Sequence, residues 1–118
     1  MSDLDLCYLP AHEALARFKA RTLSPVELTE AAIARAEAVK DPVNALTHTH
    51  FDEALDLARK AEARYARGGR VRALEGLPIG IKDENMIAGK PTSSGSLILK
   101  DFVADTTTSS ASRTPAVA

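Results

Sequence analysis

The run SPVELTEAAIARAEAVKDP, residues 24–42, defines a helix at both ends from local chemistry alone. Ser24 suits the N-cap and Pro25 the first helical position, where a missing N–H costs nothing. Glu27 completes a capping box with Ser24. Leu28, Ala32, Ala36 and Val39 form one stripe, with Glu27, Glu30 and Glu37 on the other side. Asp41-Pro42 closes the helix, because a residue before proline disfavours the α region. Two further segments share this period. Residues 10–21 carry Ala11, Ala14, Leu15 and Phe18, with Pro10 in the first turn. Residues 51–67 carry Phe51, Ala54, Leu55, Ala58, Ala61 and Tyr65 and stop at Gly68-Gly69. The buried faces are therefore rich in alanine. Aromatic residues are 4% of the chain and Trp is absent, so little area is buried per residue. Such a set of helices is expected to be one part of something larger.

Two short segments read as strands. VNALTHTH, 43–50, partly alternates, and LPIGIK, 77–82, is an apolar run entered through Pro78, which cannot donate to a ladder. Residues 1–9 read as extended or loose, and 70–74 as a polar connector. Residues 83–96 read as a loop punctuated by Gly89, Pro91 and Gly95. SLILKDFV, 96–103, fits either a short helix or a strand. ADTTTSSASRTPAVA, 104–118, has few bulky apolar residues, and 105–118 is expected to be a disordered tail.

The 118 residues carry 15 basic and 16 acidic side chains, a net charge of −1. No basic field is present to attract nucleic acid or an anionic membrane. MSDLDLCYLP lacks the sustained apolar core of a secretory signal, and no apolar run is long enough to span a membrane. Cys7 is the only cysteine, which rules out an internal disulfide and fits a reducing, cytoplasmic setting.

Candidate sites are then weighed residue by residue. Gly89-Lys90 invites comparison with a phosphate-binding loop, but that pattern needs glycine where Glu84 stands and Ser or Thr where Pro91 stands. His48 and His50 would share one face of a strand, yet no third metal ligand is near in sequence. His12 reads as a surface residue, and Cys7 has no evident activator. Ser93, Ser94, Ser96, Ser109, Ser110 and Ser112 all lie in loop-like sequence, where serine serves turns, and no nucleophile elbow is present. Lys82 stands apart at the mouth of the apolar run 77–81. It is either a strand-end lysine reaching into water or a lysine held in a dry site beside hydroxyls. As a base near neutral pH it would have to give up about 4 kcal/mol of preference for its charged form, which burial can supply.

The segment GLPIGIKDENMIAGKPTSSGS, 76–96, resembles the N-terminal block of the amidase signature family. In that family a G-[IVL]-P-x-x-[IV]-K-D strand end precedes a segment resembling V-A-G-x-P-T-T-x-G-S. Here the first reads Gly76 to Asp83 and the second Ile87 to Ser96. The upstream helices are also similar to the family's opening, so the resemblance covers about residues 10–105. It implies an α/β fold, in which 10–104 would form the first helices and strands of a mixed-sheet sandwich. It implies amide hydrolysis by a Ser–cis-Ser–Lys triad, with Lys82 as the catalytic lysine, no metal or organic cofactor, and a small-molecule amide as substrate. Asp83 is expected to help orient the local backbone and receives no catalytic role.

In the family, the Gly/Ser-rich segment that carries both serines and the oxyanion hole lies well downstream of the lysine. None of the 118 residues matches it. The expectation is therefore an N-terminal fragment of an amidase signature hydrolase, inactive alone. The first alternative is the amide-transferring subunit that acts on misacylated tRNA. The second is a non-enzymatic helical fragment that acts by association. Substrate and oligomeric state are not legible.

Overall fold

The computed structural model describes residues 1–112. The three long helices form where the sequence places them. Helix α2 spans Ala11–Ala20, α3 Pro25–Ala38 and α5 Phe51–Arg67. The predicted box at the start of α3 is complete: Ser24 Oγ accepts from the Val26 N–H at 2.9 Å, and Glu27 accepts from the Ser24 N–H at 2.8 Å. Pro10 is the N-cap of α2 rather than a first-turn residue, and Arg21 ends that helix in the left-handed region.

Two short helices depart from the sequence reading. Residues 1–9 are not uniformly extended, because Asp3–Cys7 forms α1 under a capping box made by Ser2 and Asp5. Asp41-Pro42 does not break the chain out of the α region. Instead α3 ends at Ala38 and Lys40–Val43 forms α4, with Pro42 as its third residue. A proline is tolerated there because first-turn N–H groups have no intrahelical acceptor. Asn44, at φ 48°, then turns the chain away.

The core forms where α2, α3 and α5 meet. Ala14, Phe18, Leu23, Leu28 and Leu77 make one buried cluster, covered by Leu6, Leu9, Leu15 and Tyr65. Phe18 is 1% exposed and its ring centroid lies 5.7 Å from that of Tyr65. Ala54, Ala58 and Ala61 are the buried residues of α5, and Leu28 and Ala31 are buried on α3. Such short side chains let the two helices pack closely. Helix α1 packs against α3, with its Leu6 over the same cluster.

The α/β layering expected from the resemblance does not form among the described residues. They contain helices, turns and a single isolated bridge, Pro91 to Val103. Neither expected strand is present. In 43–50, Val43 closes α4 and the rest has no regular structure apart from a bend at 47–48. Residues 77–82 carry no regular structure. A strand exists only by pairing, and neither segment has a neighbouring strand to pair with among the described residues.

The loop 83–96 is nonetheless pinned. Gly89 N–H donates to Ala104 O at 2.8 Å, Ala104 N–H to Lys90 O at 3.1 Å, and Thr92 N–H to Phe102 O at 3.0 Å. The stretch SLILKDFV contributes a 3₁₀ turn at Leu97–Leu99. Of the tail read as 105–118, residues 105–112 are described. Thr107 Oγ1 accepts from the Ala88 N–H, the Thr108 N–H donates to Met86 O, and Ser109–Ser112 forms the short helix α6. The remainder of that expectation, 113–118, lies outside the described residues.

Candidate active site

The residues singled out by sequence converge on one cleft. It encloses about 300 Å³ between the 45–50 segment and the 81–91 loop, and Leu46, His48, His50, Lys82, Asp83 and Lys90 are among its lining residues. The chain reaches it through two local devices. Asn44 turns the backbone out of α4 towards 45–50, and the core residue Leu77 anchors the run that leads to Lys82.

Lys82 starts a tight turn, its carbonyl accepting from the Asn85 N–H at 2.9 Å. Its ammonium is not in a dry site. The side chain is 75% exposed and Nζ lies 3.0 Å from Glu84 Oε1. Among the described residues, Lys82 therefore follows the first of its two sequence readings, a lysine that reaches into water.

Asp83 organises the loop. Its Oδ1 accepts from the Ser93 N–H at 3.1 Å, its Oδ2 accepts from the Ser93 hydroxyl, and its backbone carbonyl accepts from the Ser94 N–H at 3.2 Å. The Ser93 hydroxyl, followed by its amide, holds the Asp83 carboxyl below the ordinary carboxylate value. Thr92 and Ser93 are buried by this fold-back. With its hydroxyl donated to Asp83, Ser93 serves as a structural group.

His48 Nε2 is buried without a hydrogen-bond partner and lies 3.7 Å from Asp83 Oδ1. His50 lines the same cleft, where burial, aided by the Lys90 cation, pushes its imidazole below its ordinary value. Lys90 is itself paired with Glu53 of α5. No group of three or more His, Cys, Asp or Glu side chains that could hold a metal occurs among the described residues. His12 is exposed on α2, and Cys7 lies on α1 with Sγ 3.5 Å from Ala31 O, both outside this cleft.

Sequence reasoning picked out Lys82, His48 and His50 and expected Asp83 to orient the local backbone, but missed its partner Ser93. The two are ten residues apart in a loop, where no period links donor to acceptor. The only available signal was the occurrence of an aspartate and a Ser/Thr cluster within one Gly-rich loop.

A family model described as Amidase matches residues 27–113, a span that includes the whole of this cleft. The chain is 39% identical over 99 residues to a glutamyl-tRNA(Gln) amidotransferase subunit from Anaeromyxobacter sp. (strain K), covering 84% of this chain and 20% of that protein. A protein of the same name from Chloroflexus aggregans is 42% identical over 98 residues, covering 83% and 20%. Another, from Streptomyces coelicolor, is 36% identical over 99 residues, covering 84% and 20%. The chain thus spans about one fifth of the length of these relatives.

Proposed function

This chain belongs to the amidase family, and from that premise we propose that it supplies the lysine-bearing N-terminal part of an enzyme acting on carboxylic amides. The observation that carries this reading is the junction of the two segments on which the resemblance rests. Lys82-Asp83 is folded directly onto Thr92-Ser93-Ser94 by the Asp83 carboxylate. In the proposed enzyme, a Gly/Ser-rich segment absent from these 118 residues provides the nucleophilic serine and the bridging serine. Neutral Lys82 takes the nucleophile's proton through the bridging serine as the acyl-enzyme forms. It then returns a proton to the departing amine.

The chemistry sets a condition on Lys82. The neutral form of an ordinary lysine is disfavoured by about 4 kcal/mol at neutral pH, and Nζ here stands in water beside Glu84. Further polypeptide must cover the cleft and separate Nζ from water and from Glu84. The 118 residues alone are therefore expected to release no measurable ammonia from a primary carboxamide.

Between the two enzymatic readings, the names of the relatives favour the amide-transferring subunit over a stand-alone hydrolase. In that setting the amide supplies nitrogen to a misacylated tRNA, and the partners are the other subunits of such an assembly.

A hybrid tests the proposal. Residues 10–104 of this chain replace the corresponding segment of the Anaeromyxobacter relative, and ammonia release from glutamine is measured. Turnover is expected, together with a loss of at least roughly 100-fold on Lys82→Met, the order expected for a lost proton-transfer group. A folded hybrid that is inactive, or one that keeps its turnover without Lys82, overturns the assignment.

A further inference from the structure

The Lys82 ammonium stands largely in water, yet the backbone that carries it is held firmly. The constraint comes from the next residue. Three hydrogen bonds join Asp83 to the Ser93–Ser94 turn: two to the carboxylate and one to the carbonyl. A fourth, Asn85 N–H to Lys82 O at 2.9 Å, closes the turn on the other side. The side chain of Asp83 is 23% exposed, so water competes with these bonds only in part. Beyond it lies the unpartnered buried Nε2 of His48, 3.7 Å from Oδ1. The carboxylate thus has the two Ser93 donors and the His48 imidazole around it.

We propose that Asp83 is a positioning residue for the reaction, its carboxylate clamping the Ser93–Ser94 turn against the 82–85 turn and so fixing the direction in which Lys82 leaves the backbone. This rests on the functional reading above. Successive residues share one peptide plane, so holding Asp83 at both its carboxylate and its carbonyl restricts the torsions that aim its neighbour. A long lysine side chain has several rotatable bonds, and a fixed Cα–Cβ direction is the only ordering that this loop can supply before the cleft is covered. Misplacement by about 1 Å is enough to cost on the order of 100-fold in rate.

Two measurements separate this role from simple loop stability. The first is amide hydrogen exchange in the 118-residue chain itself. Asp83→Ala is expected to speed exchange at Ser93 and Ser94 at least tenfold while leaving the middle of α5 unchanged. Asp83→Asn keeps a carbonyl acceptor for the Ser93 N–H and is expected to fall between the two. Unchanged exchange at Ser93 and Ser94 in Asp83→Ala overturns the clamp.

The second measurement is glutamine turnover in the hybrid. Asp83→Ala is expected to lower kcat at least tenfold with KM within twofold, and Asp83→Asn to recover part of kcat. If exchange responds but kcat does not, the clamp is structural only and the positioning role fails. Turnover that survives Lys82→Met overturns the functional reading, and the positioning role with it, whereas the exchange result continues to stand or fall by itself.

Discussion

Glu75 shows how one side chain can tie a connector to a helix. It is 2% exposed, and its carboxylate takes Arg72 Nε at 2.7 Å and a guanidinium nitrogen of Arg64. The Tyr65 hydroxyl donates to its backbone carbonyl at 2.9 Å. The Arg72 hydrogen bond, with Arg64 beside it, holds the carboxyl below the ordinary 4.5. A depressed carboxyl stabilises the fold above its unfolded value, and that stability is lost as pH falls through the folded value. Glu75→Gln is expected to lose roughly 2 kcal/mol near neutrality, the size of a charge-assisted hydrogen bond. The gap to the parent should narrow as pH falls below 4.5 and close once it passes the lower folded value, as urea midpoints across pH will show. Gly76 makes a second demand. At φ +85° its Cβ would lie 2.9 Å from Pro25 Cγ and 3.0 Å from Pro25 Cβ, at the start of α3. Gly76→Ala therefore meets both the left-handed penalty, about 1–2 kcal/mol, and a ring with little room to move. It should unfold at a clearly lower temperature, whereas Gly80→Ala, with open space around it, should not.

At the scale of the element, the helices owe their ends to local signals and their packing to a few side chains. Phe18 carries α2 onto α5 through Tyr65. Alanine elsewhere on these faces makes that ring the largest fully buried side chain among the described residues. Phe18→Ala is expected to cost about 3 kcal/mol or more, read as the shift in urea midpoint, because the packed neighbours relax only partly into the space left behind. Helices α3 and α5 pack through small side chains, so their contact is close but contributes little apolar area per residue. The loop at the cleft has the opposite character. It holds its shape through hydrogen bonds between 83 and 93–94 and between 89–92 and 102–104, not through a core.

For the whole molecule, the radius of gyration is 15.1 Å, against roughly 13 Å for a compact chain of this length. Apolar side chains stand in water at one end: Leu97 is 87% exposed and Ile98 93%, with Phe102 and Val103 beside them in sequence. A patch of this kind promotes association. The purified chain should bind a hydrophobic dye and elute larger with rising concentration. Leu97→Ser with Ile98→Ser should reduce both effects, and a parent that stays monomeric and dye-silent would contradict this. The amino-acid sequence by itself determined the three long helices, the box at Ser24 and Glu27, the Gly68 stop and the prominence of Lys82. Each rests on residues within one or two helical turns, or on a contiguous run, so the pattern is written locally. Only the tertiary structure decided that 43–50 and 77–82 are not strands, that Lys82 lies in water beside Glu84, that Ser93 is the partner of Asp83, and that Glu75 holds a connector in place. Strand pairing, exclusion of water and a carboxylate's choice of donor all depend on what the rest of the chain brings alongside, and neighbouring residues carry no record of it.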